Sequence, residues 1–145
     1  MPRRSTRDTP RRRIEAECTR RGKVQVVEGC VTLLDGGTVD PALLRALAGQ
    51  AADPFLQQGG REDEYWLRVW GARGLLWAWD DLALMALQRA TRDDAWRVRE
   101  MAAKVVARNL LGDAVPDVAK LVDDPVPRVR TAASRALVCC ADAGL

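Results

Sequence analysis

The sequence contains no histidine, so it lacks the commonest general base and the Ser-His and Cys-His nucleophile pairs that depend on it. No Cys-x-x-Cys pair occurs among its four cysteines, so a zinc site is not expected. We interpret these cysteines as reduced thiols, two or more of them buried. They are Cys18, Cys30, Cys139 and Cys140. The sequence therefore predicts no catalytic residue, metal or cofactor, and a protein that is not an enzyme.

Long apolar runs are also missing. No run approaches the length of a membrane span, and no apolar stretch follows the arginine-rich start as a secretory signal would require. We therefore expect a cytoplasmic protein. Charge is unevenly distributed, because residues 1–23 hold nine Lys/Arg and three Asp/Glu, whereas residues 24–145 hold fourteen and seventeen. The basic character of the chain thus comes mainly from its N-terminal segment.

Residues 1–13 contain six arginines and two prolines without apolar periodicity, which predicts a flexible basic arm. Such an arm is either a solvated tail or a segment that binds phosphates. From residue 14 to residue 145 we expect a single helical domain, because apolar residues recur at helical spacing and the connections between them are short. Nothing alternates with a period of two, so no sheet is predicted.

A repeat with an offset of 31 residues organises the second half of the chain. Trp96-Arg97-Val98-Arg99 returns as Pro127-Arg128-Val129-Arg130, and each segment is followed by two small residues at equivalent positions. The pattern extends more weakly upstream, giving units 62–92, 93–123 and 124–145. Self-similarity at such a period is typical of stacked helical hairpins, in which each unit covers the apolar face of the next.

The stretches Asp-Asp-Ala-Trp-Arg-Val-Arg-Glu-Met-Ala-Ala at 93–103 and Asp-Asp-Pro-Val-Pro-Arg-Val-Arg-Thr-Ala-Ala at 123–133 resemble HEAT-like repeats, of the short kind also found in phycobiliprotein lyase subunits. The resemblance implies an all-α, right-handed solenoid of about four antiparallel hairpins. HEAT-like arrays mostly act as binding surfaces. The resemblance therefore favours a non-catalytic interaction or scaffold module whose partner is another protein.

The repeat aligns two rows of cations. The first, which we call the ladder row, contains Arg68, Arg99 and Arg130, and it runs beside an acidic row of Glu62, Asp93 and Asp124. In HEAT-like arrays such rows pair as a structural Asp-Arg ladder. The second, which we call the basic row, contains Arg73, Lys104 and Arg135 and has no matching acidic row. With further cations at Arg97, Arg108 and Arg128 it could bind a nucleic-acid backbone, which is the alternative function.

Four tryptophans lie close together at Trp66, Trp70, Trp77 and Trp79. We predict a helix from about residue 62 to residue 79. On it, Trp66, Trp70, Trp77 and Arg73 would lie on one face, within a sector of about 60° around the helix axis. They either pack against the preceding hairpin or form an aromatic groove that holds a partner.

Two further expectations concern particular residues. HEAT-like DNA glycosylases use tryptophans and an aspartate, so Asp80 and Asp81 are the candidates for a third, enzymatic alternative, although they also suit a helix N-cap. The last hairpin stops after its first helix, which predicts self-association or partner docking at the C-terminal end of the array. The residues expected there are Val129, Ala133, Leu137 and Val138.

Overall fold

A computed structural model describes residues 8–57 and 63–145, and over these ranges the chain forms helices and no strand, which confirms the all-α class. The α-helices are α1 (Pro10–Arg21), α2 (Lys23–Leu34), α3 (Pro41–Ala48), α4 (Asp53–Gln57), α5 (Tyr65–Gly74), α6 (Leu84–Ala90), α7 (Trp96–Asn109), α8 (Val115–Ala119) and α9 (Pro127–Asp142). Short 3-10 helices occupy Gly49–Ala52, Asp81–Ala83, Gly112–Ala114 and Lys120–Asp123. No helix in the described ranges is both long and apolar enough to cross a membrane.

Helix α1 begins earlier than the sequence predicted. The side chain of Thr9 accepts a hydrogen bond from the amide of Arg12 at 3.2 Å, and Pro10 occupies the first turn, where its missing N–H has no cost. The last four residues of the predicted basic arm are therefore helical. Residues 1–7 of that arm lie outside the described residues.

The longer helices pack side by side in chain order, α2 against α5, α5 against α7 and α7 against α9. Helix α6 packs on α7 and α8 packs on α9, while α1 packs on both α2 and α3. Val98 and Val129 occupy equivalent positions of the repeat, and both side chains are fully buried. Burying a side chain of this size contributes about 1.5–3 kcal/mol, so the repeated apolar positions hold the successive helices together.

Helices α2 and α5 approach each other especially closely at Gly71. A Cβ atom on Gly71 would lie 2.9 Å from both the carbonyl oxygen of Cys30 and the Cβ of Leu33. The equivalent residue of α7 is Ala102, which is fully buried. Glycine at position 71 therefore allows the diverged N-terminal helices to dock on the regular part of the repeat.

Helix α5 ends at Gly74, and the prediction of a helix as far as residue 79 is wrong. The amides of Leu75, Leu76 and Trp77 bond to carbonyls only three residues earlier, at 3.0–3.2 Å, so the chain tightens into turns. These turns carry Leu75 and Ala78 into the core, where both are fully buried. Burial of these two side chains outweighs continuation of a helix that two glycines already weaken.

A further short helix, α4, follows α3 at residues 53–57. Pro54 lies in its first turn, where proline removes no hydrogen bond, so Asp53-Pro54 starts a helix.

Candidate binding grooves on the face of helices α5, α7 and α9

Ladder-row guanidiniums pair with the acidic row across successive units. Arg68 donates from Nε to Asp93 at 2.8 Å and from Nη2 to the other carboxylate oxygen at 3.1 Å. Arg99 makes the same two bonds to Asp124, at 2.7 and 3.1 Å. Both pairs span 25 residues. Bidentate pairs of this kind fix geometry as well as charge, so the ladder joins each of these helices to the start of the next.

Each acid of these pairs also binds the backbone amide of the residue just before the helix that follows it. Asp93 accepts from the amide of Ala95 and Asp124 accepts from the amide of Val126, both at 2.9 Å. Burial of Asp124 acts to raise the pKa of its carboxyl, but the bonds from Arg99 and the Val126 amide outweigh it, and the pKa is lowered. Asp124 is therefore held as a buried carboxylate.

Arg130, the last arginine of the ladder row, has no carboxylate partner among the described residues. Arg130 is exposed and donates from Nη1 to the carbonyl oxygens of Asp124 and Pro125, at 2.8 and 3.2 Å. Glu62 lies outside the described residues, so its pairing stays a prediction. Arg68 and Arg99 each donate two hydrogen bonds to a carboxylate of the chain, so the cations available to a ligand are those of the basic row and its neighbours.

In the basic row, Lys104 has an acidic partner that the sequence analysis missed. Lys104 Nζ lies 3.0 Å from Glu100, four residues earlier on the same helix, and Arg128 Nε lies 2.8 Å from the second carboxylate oxygen. The Nε contact has the distance of an ion pair without the alignment of a hydrogen bond, while Nη2 of Arg128 donates to the first carboxylate oxygen at 3.1 Å. Glu100 is buried, and the equivalent positions in the neighbouring units are Val69 and Thr131. The i, i+4 spacing was the available signal, but it occurs in only one unit and so forms no row.

Arg73 stands at the first position of the basic row in a different environment. Its Nη1 donates at 3.4 Å to the carbonyl oxygen of Leu47 at the end of α3, and no carboxylate of the described residues lies within ion-pair distance. Burial lowers the pKa of the Arg73 guanidinium, and the charge of Arg13 lowers it further. Arg73 is a half-buried cation with little compensation.

Arg135, at the third position of the row, is exposed and makes no hydrogen bond or ion pair within the described part of the chain. Nearby Arg108 donates from Nε to the carbonyl oxygen of Leu76 at 3.0 Å. The repeat places Lys104 and Arg135 at equivalent positions, but Lys104 is paired with Glu100 and Arg135 is not paired with any described residue.

Arg97 lies between two tryptophan rings. Its guanidinium carbon is 4.4 Å from the ring centre of Trp96 and 5.2 Å from that of Trp66. Arg128 lies 5.5 Å from Trp96 on α7, and Tyr65 stacks on Trp66 at 5.5 Å. No repeated spacing in the sequence pairs Trp96 with Trp66. The chain's own cations and rings already occupy much of these aromatic faces.

The predicted 60° sector of tryptophans does not form, because the helix that would carry it ends at Gly74. Trp70 is buried and meets Phe55 edge to face, with ring centres 5.0 Å apart. Trp77 and Trp79 follow in the turns after α5, and Trp79 donates from its indole nitrogen to Asp81 at 3.2 Å. Of the predicted aromatic groove, Trp66, Trp70 and Arg73 are brought together and the other two tryptophans are not.

The α7–α9 groove is the larger of the openings on this face, with a volume of about 580 Å³. Small and apolar side chains lie between four exposed cations, Lys104, Arg108, Arg128 and Arg135. The complete lining is Leu76, Glu100, Lys104, Ala107, Arg108, Pro127, Arg128, Thr131, Ala132, Arg135 and Cys139.

The Trp66–Arg73 cleft consists of two adjoining openings that share these two residues. One, of about 260 Å³, leads toward the α7–α9 groove past Glu100 and Lys104. The other, of about 300 Å³, faces the N-terminal helices, and its lining is Ala48, Ala51, Phe55, Asp63, Trp66, Trp70 and Arg73.

No family model, curated protein or solved structure matches this chain. Across residues 8–57 and 63–145, no group of three or more His, Cys, Asp or Glu side chains is placed to hold a metal ion.

The two aspartates considered for an enzymatic role have structural partners. Asp80 accepts a hydrogen bond from the amide of Leu82 at 3.0 Å and so caps the 3-10 helix that follows it, while Asp81 accepts from Trp79. Neither aspartate lines the α7–α9 groove or the Trp66–Arg73 cleft. The geometry offers no support for the glycosylase alternative.

The apolar surface expected at the C-terminal end of the array is much smaller than predicted. Val129 and Ala133 are fully buried, because α9 turns this side toward α7 and α8. Leu137 is half-buried, and Val138 is exposed. Self-association through all four residues is therefore not available to this fold.

Proposed function

We propose that this protein is a non-catalytic interaction module, a short right-handed solenoid of HEAT-like repeats that binds an acidic segment of a partner protein in the α7–α9 groove. The repeat architecture is supported by the order in which α5, α7 and α9 pack and by the two ladder pairs at the same spacing of 25 residues. Equal spacing of the pairs means that each unit meets the next in the same way.

The single observation that carries the proposal is the composition of the α7–α9 groove. Leu76, Ala107 and Ala132 provide apolar surface, and the four cations around them outnumber the one acid, Glu100. A segment with apolar side chains on one face and carboxylates on its flanks would satisfy both parts of this surface. An amphipathic acidic helix is the simplest such segment.

A nucleic-acid partner is the second candidate, because six cations line the connected openings of this face: Arg73, Arg97, Lys104, Arg108, Arg128 and Arg135. Two features favour a protein. The rings of Trp66 and Trp96 are already stacked on Arg97, so they are poor platforms for bases. The apolar surface of the groove has no counterpart on a phosphate backbone.

Fluorescence anisotropy with a labelled designed peptide tests the proposal. The peptide is a helix with leucine at every third or fourth position and glutamate between, and the comparison probe has the same composition in scrambled order. We expect the amphipathic peptide to bind at least about tenfold more tightly than the scrambled one. Equal binding of the two, or tighter and steeply salt-dependent binding of an oligonucleotide, would refute the proposal.

Arg135→Glu locates the binding in the groove. This exposed cation has no partner among the described residues, so reversing its charge leaves the fold intact while it repels the acidic peptide. We expect peptide affinity to fall by about tenfold. The matched control is Lys120→Glu, which reverses an exposed cation outside the α7–α9 groove and the Trp66–Arg73 cleft and should bind like the unmodified protein. Equal affinity of the two variants would place the peptide elsewhere.

A further inference from the structure

We propose that the Trp66–Arg73 cleft is a binding site for a carboxylate carried on a small apolar group. The site is the opening of about 300 Å³ on the N-terminal side of α5, which none of the four cations around the α7–α9 groove lines, and its occupation does not depend on the function proposed above. Three observations meet in it: an uncompensated guanidinium, aromatic walls and a cavity of suitable size.

The guanidinium of Arg73 has most of its hydrogen-bonding capacity unused. Its only hydrogen bond among the described residues runs to a neutral carbonyl at 3.4 Å, although arginine carries five N–H donors. Arg68 on the same helix and Arg99 on the next are also half-buried, and each makes two bonds to a carboxylate. An anion at Arg73 would supply the partner that the chain itself provides at the other two positions.

The electrostatic surroundings favour an anionic ligand. Arg13 is close enough to lower the pKa of Arg73, and it is itself held by the carbonyl of Ala46 at 3.1 Å and by Asp8 at 3.2 Å. A carboxylate bound to Arg73 would offset the repulsion between these two guanidiniums.

The remaining walls are apolar. Phe55, Trp66 and Trp70 face the same opening as Arg73, together with the small side chains of Ala48 and Ala51. Its volume of about 300 Å³ lies at the lower end of the range for small-molecule sites. Since a cavity of about 150 Å³ accommodates benzene, a single ring that bears a short acid fits.

This chemistry occurs both in a free small acid and in the C-terminal residue of a peptide. NMR spectra of the indole N–H groups report on the site directly, because tryptophans line it. We use phenylacetate as the charged probe and phenylacetamide as its neutral counterpart of nearly the same shape. We expect phenylacetate to shift the Trp66 and Trp70 signals saturably and to bind at least about tenfold more tightly than the amide.

A peptide that ends in phenylalanine, as the free acid and as the C-terminal amide, distinguishes the two sources. If the cleft serves a free small acid, phenylacetate binds and neither peptide does. If it serves a chain terminus, the peptide acid binds and its amide does not. Shifts of equal size and affinity with phenylacetate and phenylacetamide would overturn the proposal, as would the absence of any saturable shift with phenylacetate and the peptide acid alike.

Arg73→Gln removes the charge, and we expect it to weaken phenylacetate binding by at least about tenfold. The control is Arg45→Gln, an exposed arginine of α3 whose contact with Asp53 is 3.5 Å long, and its affinity should not change. Unaltered affinity in Arg73→Gln would contradict the site. If that variant does not fold, the comparison of acid and amide in the unmodified protein still decides the question.

Discussion

The ladder row and the basic row run across the same three helices, yet only the ladder row repeats its surroundings. Arg68 and Arg99 each face an aspartate 25 residues later, in the same bidentate geometry. In the basic row, Arg73 meets a backbone carbonyl of α3, Lys104 meets Glu100 on its own helix, and Arg135 remains without a partner among the described residues.

The difference arises from where the neighbours of each row come from. Partners of the ladder row lie at the start of the next unit, and that start is itself part of the repeat. The neighbours of the basic row lie on helices that do not repeat, or at a position occupied by Glu100 in one unit only. The positions whose contacts repeat therefore maintain the architecture. The positions whose contacts do not repeat line the α7–α9 groove and the Trp66–Arg73 cleft.

Removing a ladder arginine should produce the largest loss of stability. Arg99→Ala leaves the buried carboxylate of Asp124 without its bidentate partner, and we expect the free energy of unfolding to fall by about 3 kcal/mol. The free energy of unfolding can be measured by urea denaturation, with circular dichroism as the signal.

Arg130→Ala is the matched control, because this exposed arginine at the equivalent position bonds only to carbonyls. It should cost less than about 1 kcal/mol. Similar losses in both variants would mean that the two ladder positions are energetically alike, contrary to the geometry.

A smaller loss of stability should follow from overpacking the contact between α5 and α2. Gly71→Ala copies the alanine found at the equivalent positions 102 and 133, but its Cβ would lie 2.9 Å from the backbone oxygen of Cys30. Overpacking exceeds the gain in helix propensity, so we expect a net loss of about 1–2 kcal/mol. Urea denaturation measures this change as well.

Gly112→Ala provides the comparison, since its Cβ would meet Leu145 at an ordinary 3.5 Å. Stability should stay the same or rise by up to about 1 kcal/mol. A Gly71→Ala variant that is as stable as Gly112→Ala would show that α2 moves away from α5 without cost.

The smallest expected effect is the contribution of Asp124 to the pH dependence of stability. The folded protein lowers the pKa of Asp124 below the unfolded value of about 3.9, so the unfolded chain takes up this proton first as the pH falls. The resulting stabilisation is complete above that value and is lost as the pH falls through the folded pKa. Asp124→Asn should therefore show a shallower decline of stability between about pH 5 and about pH 3.

Asp123→Asn removes the neighbouring exposed carboxylate, which forms no ion pair with any residue that the structure describes. Its decline with pH should follow that of the unmodified protein. If the two asparagine variants give the same profile, Asp124 is not the source of the acid sensitivity.

The repeat made a large part of the fold predictable. Apolar residues at helical spacing predicted an all-α chain, and the described residues form helices and no strand. The alignment also brought Asp93 and Asp124 into one row with their arginines, because both members of each pair recur every 31 residues. Local periodicity suffices wherever a residue's neighbours are themselves periodic.

Features that depend on a single tertiary contact could not be predicted in this way. The end of α5 at Gly74 follows from burial of Leu75 and Ala78, which competes with a sequence otherwise compatible with a longer helix. The environment of Arg73 depends on where the end of α3 lies, and the stack of Arg97 between Trp66 and Trp96 depends on how α5 meets α7. No spacing in the sequence encodes these contacts.

The double role of Asp93 and Asp124 gives the two boundaries between the repeat units the same joint. Each aspartate binds the amide of the residue just before its helix and is held by an arginine of the unit before it, so the joint has the same form at both boundaries. Excision of residues 93–123 would place Asp124 where Asp93 now stands, again 25 residues after Arg68. A gene that encodes such joints can gain or lose whole units by recombination and keep every remaining joint intact.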